Sequence, residues 1–314
     1  MAYYLDPVGG GTVPLMTLGS MKICFPLLAL LCFPVLQCGA AEPPLFAFGA
    51  IADCQYCNKD SKVRRYNLSP EKLGKCVAHF NRSDLSFVVH LGDFIDRDWE
   101  SFDLVVPIFE QLQAAHYHVL GNHDFSVAEE RKKEVPARLG LASRYYSFER
   151  GKWRFIVLDG NDVSLYAHPK GSEQQLAAKA LYDSFEKKPP AWNGALGAGQ
   201  MCWLREQLRA TWNAGQRVIL FCHFPVHPEN GHNLWNDEEV TDLLAQYPHV
   251  VAWINGHNHR GNYGEKDGIH YLTLKGMVDT SETSYAIIEV FQDRLEIRGF
   301  GREQGRTLPF PVRK

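Results

Sequence analysis

The sequence lacks a dominant charge. Its 33 Lys and Arg stand against 36 Asp and Glu over 314 residues, a formal net charge of −3 with a pI near 6.5. Such a balance carries no basic footprint and excludes a nucleic-acid backbone as partner. Internal repeats and long low-complexity tracts are also missing, which excludes a repeat array. A long apolar run is missing as well: residues 23–36 (ICFPLLALLCFPVL) number about fourteen and include two prolines, short for a membrane span. An even set of cysteines is missing too. Of the eight, Cys24, Cys32 and Cys38 lie in or just beyond that run, leaving Cys54, Cys57, Cys76, Cys202 and Cys222. Five thiols make no disulfide framework; at most two bridges form, and a Cys54–Cys57 pair stays open.

What is present is an ordinary globular composition, 45% hydrophobic and 22% charged, enough for one large domain or two small ones. Met21-Lys22 precedes the short apolar run, and Gln37-Cys38-Gly39-Ala40-Ala41 follows it. A positive start, an apolar stretch and a small-residue exit make a secretory signal over about 21–41. Met21 is then the expected start, with cleavage near Ala40 or Ala41 and an exported product. An uncleaved membrane anchor is the alternative; after cleavage no membrane insertion is expected. Residues 1–20 form no convincing element, so 1–41 reads as an N-terminal extension and 42–314 as a single domain.

Along that domain, short apolar runs alternate with helical patterns. Strands are expected at 45–52, 86–93 and 116–124, with a helix over 102–115 that starts or kinks at Pro107. A hairpin turns at Arg150-Gly151 within 144–160. An amphipathic helix over 200–215 closes on Gly215. Strands at 217–225, 249–259, 269–276, 285–291 and 294–301 complete the second half. The segment 161–199, rich in Pro, Gly and Lys, reads as an insertion that forms part of a substrate rim. Alternation followed by consecutive strands implies an α/β (α+β) fold in which two sheets pack together with helices outside.

The polar clusters each follow an apolar run: Asp53-x-Gln55, Gly92-Asp93 with Asp96, Gly121-Asn122-His123-Asp124, His223, and Gly256-His257-Asn258-His259. Strand ends of an open sheet bring such loops to one rim. Taken singly, each has a plain reading. Gly-Asp after a strand is a turn, a lone His223 is a satisfied core histidine, and the glycines serve tight turns. Taken together, they supply oxygen and imidazole donors enough for two divalent ions with one shared carboxylate.

The pattern D-x-Q…GDxxD…GNHD…H…GHxH resembles the calcineurin-like metallophosphoesterase family over about 45–302. It is most similar to the manganese-dependent ADP-ribose/CDP-alcohol diphosphatase branch. That finer likeness rests on Asp53-Cys54-Gln55-Tyr56, where most of the family has Asp-x-His, and on Arg65-Tyr66, Lys72-Leu73, Asn193-Gly194, Leu234-Trp235-Asn236 and 256–263. The resemblance implies a four-layer αββα sandwich of two mixed sheets. It implies that Asp53, Gln55 and His259 hold one ion, that Asn122, His223 and His257 hold the other, and that Asp93 bridges both. His123 would face the scissile phosphate, with Asp96 and Asp124 behind it orienting His123 and nearby ligands. Asp53 and Gln55 are expected on one side of the strand end because they are two apart, with Cys54 turned toward packing.

Two ions sharing a water would lower its pKa and give a bridging hydroxide for in-line attack, with His123 protonating the leaving oxygen or stabilising the transition state. The mixed oxygen and nitrogen donors admit Mn, Fe or Zn and exclude an all-oxygen Ca site; the neutral Gln55 carbonyl tilts the first site toward Mn. The substrate is then a small phosphorylated molecule. The leading expectation is a phosphoanhydride in a nucleoside diphosphate-X compound; the alternatives are a phosphomonoesterase or phosphodiesterase of the same fold, and a non-catalytic binding scaffold. Tyr56, Asn193 and Trp235 are candidate substrate contacts, with ordinary packing as the other reading. The oligomeric state stays open.

Overall fold

The computed structural model describes residues 42–59 and 61–311. The signal expected over about 21–41 lies outside the described residues. Apart from Glu42, these residues belong to one unit, Pro43–Lys314.

The order is β1 (Phe46–Ile51), α1 (Ser69–Phe80), β2 (Phe87–His90), α2 (Ser101–Phe109), β3 (Ala115–His118), α3 (Val135–Arg138), β4 (Tyr146–Arg150), β5 (Trp153–Val157), α4 (Glu173–Ser184), α5 (Ala198–Asn213), β6 (Arg217–Phe221), α6 (Asp237–Ala245), β7 (Val250–Asn255), β8 (Asn262–Lys266), β9 (Ile269–Thr273), β10 (Ser284–Val290), β11 (Arg294–Gly301) and β12 (Arg306–Pro309). One six-stranded sheet runs β12-β11-β10-β1-β2-β3 and the other β4-β5-β6-β7-β9-β8. In the first, β1, β2 and β3 are parallel and β10 joins β1 antiparallel. In the second, β5, β6, β7 and β9 are parallel, with antiparallel edges β4 and β8. The inner strands β2 (FVVH) and β7 (VVAWIN) are buried at every position, as strands covered on both faces must be.

The sheets face each other across Phe48, Phe87, Phe155, Phe221, Leu272 and Ile288. The Phe48 and Phe87 rings stack at 4.7 Å, and Phe155 meets Phe87 edge-on at 4.7 Å. Outside the first sheet, Leu73, Val77 and Phe80 of α1 pack with Phe102 and Phe109 of α2. Outside the second, Leu204 and Leu208 of α5 and Val240 and Leu244 of α6 pack around Trp253. The expected four-layer αββα sandwich is therefore the observed one.

Several elements depart from the sequence pattern. The helix expected over 102–115 begins at Ser101 and ends at Phe109, with Pro107 inside its last turn. Proline removes one ladder donor there, and the chain leaves the helix two residues later. Helices α1, α3, α4 and α6 and strands β8 and β12 were not anticipated; α4 lies within 161–199. Helix α5 does stop where expected, with Gly215 in the left-handed region at φ 63°. The five described cysteines are all free, so the open Cys54–Cys57 pair is not a disulfide.

Candidate metal centre

The site residues leave the carboxyl ends of parallel strands in both sheets. Asp53 follows β1, Asp93 follows β2, Asn122 follows β3, His223 follows β6 and His257 follows β7. Because β1, β2 and β3 are neighbours, and so are β6 and β7, these loops share one rim.

Strand alternation is not what aligns Asp53 with Gln55, contrary to expectation. Strand β1 ends at Ile51, and both residues are left-handed at φ 51°. Asp93 (φ 55°) and His257 (φ 68°) share this conformation. Non-glycine residues rarely adopt it, at about 1–3 kcal/mol each, and persist there when surrounding bonds over-determine them. Here Asp53 N donates to Gly92 O (3.2 Å), Gln55 N to Asp93 O (2.8 Å) and Val278 N to Asp53 O (2.9 Å). The glycines do more than turn the chain. A Cβ on Gly121 would sit 2.2 Å from Asp93 Oδ1, so only glycine leaves room for that carboxylate, while Gly92 takes φ 94°.

Two groups of acceptors form. In one, Asp93, His223 and His257 bring ligand atoms within 4.8 Å of one another. His223 Nδ1 donates to Leu91 O (2.8 Å), so Nε2 faces Asp93 Oδ2 (3.2 Å), Asn122 Oδ1 (3.1 Å) and His257 Nδ1 (3.2 Å). His257 donates through Nε2 to Asn193 Oδ1 (2.9 Å), which leaves its Nδ1 as an acceptor. In the other group, His259 donates through Nδ1 to Asp279 Oδ1 (3.0 Å) and turns Nε2 to Asp53 Oδ1 (3.4 Å). Gln55 donates through Nε2 to Asp96 Oδ1 (3.1 Å), and its Oε1 is buried with no partner. An orphaned buried carbonyl is costly unless a cation meets it. The groups adjoin, since His257 N donates to Asp53 Oδ1 and Oδ2 (3.2 Å each).

The electrostatics agree. Burial lowers His223, but the Asp93 carboxylate outweighs it and lifts the ring to about 9. Burial likewise lowers His259, and Asp53 and Asp279 lift it to about 9. His257 is held well below its usual range by burial and His223, which outweigh the support it takes from Asp93. Protons on His223 and His259 thus offset the buried carboxylates, a task that divalent cations perform better once they displace those protons.

His123 lines the cavity. Its Nδ1 meets Asp96 Oδ1 (2.9 Å), and its amide donates to Asp93 Oδ1 (2.7 Å). Burial lowers the imidazole, yet Asp93 and Asp96 raise it above its usual value. Asp96 also bonds Arg97 (2.7 Å), so it orients His123 and Gln55 as expected. Asp124 does not orient His123. Its carboxylate accepts from the amides of Asp93 (3.2 Å), Phe94 (2.7 Å), Ile95 (3.2 Å) and Gly121 (2.9 Å), and it holds the Asp93 loop from beneath.

The candidate substrate contacts fare differently. Asn193 is buried and faces His257, Gly231 and Asn233, so it orients the His257 ring. Trp235 donates to Pro190 O (3.1 Å) and packs on Tyr182 and Phe185. Tyr56 packs against the helix-side core and bridges Ile95. The cavity wall is built instead by Arg64, Trp192 and His232, around a volume of about 400 Å³. A cleft of about 490 Å³ beside Arg150, Trp153 and Arg217, at the other ends of the strands, holds none of the acceptor groups.

A calcineurin-like phosphoesterase model matches residues 46–261. The chain belongs to the calcineurin-like phosphoesterase family. Within this family it is 30% identical over 304 residues to a manganese-dependent ADP-ribose/CDP-alcohol diphosphatase of Arabidopsis thaliana, covering 84% of this chain and 97% of the relative. The namesake from Xenopus laevis is 27% identical, covering 88% and 94%. A dimetal phosphatase from Danio rerio superposes with TM-score 0.77 at 27% identity, covering 85% of this chain and all of that one.

Asp279, Arg64, Trp192 and His232 escaped the sequence reading because each stands alone, outside any strand-exit cluster. Lys72, though singled out, acts at a distance. It is buried and donates to Met277 O (2.8 Å) and Thr280 O (2.7 Å), on either side of Asp279. Removing a carboxylate that orients a metal-facing histidine costs about 10–100-fold in metal affinity. Asp279→Ala should therefore weaken Mn binding at the His259 side by that factor, read by calorimetric titration; an unchanged isotherm would detach Asp279 from the site.

Proposed function

We propose that the protein hydrolyses the phosphoanhydride of nucleoside diphosphate-X compounds, of the ADP-ribose and CDP-alcohol type, with two divalent ions, Mn before Zn or Fe. The observation that carries this reading is the convergence of carboxylate, amide-oxygen and imidazole side-chain atoms on one rim, including the orphaned Gln55 Oε1. The donors fit the ions: carboxylate, amide oxygen and imidazole suit Mn, Fe or Zn. Asp53, Gln55 and His259 would hold one, Asn122, His223 and His257 the other, with Asp93 shared. Bound there, the ions supply Lewis acidity at the phosphoryl group and an activated water.

The chain's own groups do the rest. With Nδ1 engaged by Asp96, His123 presents Nε2 to the cavity and donates its proton to the departing oxygen. Arg64 lines the same cavity, its Nη1 3.6 Å from Asp96 Oδ1. A diphosphate carries a second phosphoryl group, and a guanidinium on the wall answers its charge. A monoester has no such need, which favours the anhydride reading. The names of the relatives support the same substrate class. Mn-loaded protein assayed on ADP-ribose, CDP-choline and p-nitrophenyl phosphate tests this; turnover of the last alone would mean a phosphomonoesterase.

Gln55→His should tighten the first site and raise Zn-supported relative to Mn-supported activity, since imidazole sites favour Zn along the divalent series. Histidine tolerates φ near +51° better than most residues, so the loop survives the change. Equal Mn/Zn activity ratios in both proteins would remove Gln55 from the ligand set. Export by the 21–41 signal is proposed from the sequence alone. Sequencing the N-terminus of secreted protein tests it, and an intact Met1 would refute it.

A further inference from the structure

We propose that the indole of Trp192 is a stacking platform for the substrate's nucleobase, so that the site selects nucleotides by the face of the base and not by its edge. This rests on the function proposed above. Trp192 is 53% exposed, yet it lines the same cavity as Asp93, Asn122, His123 and His257. A large exposed aromatic at the mouth of a phosphate-handling cavity offers a planar partner a ready surface.

The turn that presents it is anchored on several sides. Asn193 N donates to Pro190 O (3.2 Å), closing a turn over 190–193 with Trp192 in third place. Trp235 Nε1 donates to the same carbonyl (3.1 Å). The Asn193 amide donates to Gly231 O (3.0 Å) and Asn233 O (2.8 Å), and its Oδ1 accepts from His257 Nε2 (2.9 Å). One residue thus ties the platform to a metal-facing histidine and to the segment bearing His232. The backbone beneath the indole is ordered before any ligand arrives, which lowers the entropic cost of binding.

The rest of the wall argues against reading base edges. Beyond the metal-facing residues and His123, it consists of Arg64, Trp192 and His232. None is an amide or carboxylate, and the Arg64 guanidinium, which could otherwise donate to a base edge, is drawn to Asp96 at 3.6 Å. Every base has a π-face, so purine and pyrimidine nucleotides should both be accepted.

The test measures Kd values of AMP, CMP and ribose 5-phosphate for the Mn-loaded full chain by calorimetry. Wild type should bind both nucleotides about tenfold more tightly than ribose 5-phosphate. Trp192→Ala should bring both ratios close to one, and Trp192→Phe should keep most of the preference. Ratios near one in wild type, or ratios preserved in Trp192→Ala, would overturn the platform. Failure of the proposed function shows separately, as absent hydrolysis of ADP-ribose and CDP-choline whatever these ratios are.

Discussion

Asp93→Asn is expected to lose the second ion and to hydrolyse substrate about 10²–10⁴-fold more slowly. Asp93 is 1% exposed and lies at the centre of the cluster: Oδ2 meets His223 Nε2 (3.2 Å) and Oδ1 accepts the His123 amide (2.7 Å). Burial alone would raise its carboxyl, yet His223 and His123 hold it far below the usual carboxylate range, so it is charged at any working pH. The asparagine is nearly isosteric but removes the one negative charge that both ions would share. Breaking one member of a buried charge cluster costs about 3–5 kcal/mol, which corresponds to about 10²–10⁴ in an equilibrium constant. Metal content by plasma mass spectrometry, alongside kcat/KM, checks this. A variant with two tightly held ions and a near-normal rate would end the two-metal reading.

His123→Ala should behave in the opposite way toward the metals. Turnover should fall by about 10²–10⁴-fold, the range for removing a positioned acid, while metal content stays unchanged. The reason is geometric. The ring contacts Asp96, and only the backbone amide contacts Asp93. Alanine keeps that amide, so the ligand cluster stays intact while the proton donor is gone. Loss of half the metal in this variant would place His123 among the ligands. The deficit should be smallest for substrates whose leaving group departs without a proton, a further reading from the same assay.

The candidate ligand set was legible because its members cluster at strand exits, where an apolar run stops on Asp, Asn or His. Asp53, Asp93, Asn122, His223 and His257 all sit at the carboxyl ends of parallel strands. His259 and Gln55 follow from their spacing to these. The sandwich was legible from the same runs, since strands buried on both faces need few polar positions. Tyr56, Asn193 and Trp235 were left between substrate contact and ordinary packing, because a polar or aromatic residue in a loop looks the same whether it faces a cavity or the protein behind it. Asn193 is as close to the chemistry as supposed, but it spends its donors on Gly231 and Asn233 and its acceptor on His257.

By itself, then, the sequence determined which atoms could meet a cation, because donor type and the period of the flanking strands are local properties. Only the tertiary structure decided how those atoms are aimed. Asp53 and Gln55 converge through left-handed backbone held by the Gly92 and Asp93 carbonyls, 39 and 38 residues away, and not through strand alternation. Asp124 supports four amides rather than an imidazole, and Asp279 reaches His259 from twenty residues downstream. The cavity wall of Arg64, Trp192 and His232 likewise comes from three separate loops. Such bonds join positions far apart in the chain, and no spacing rule records them: their partners are chosen by which loops the packed sheets bring to the same rim.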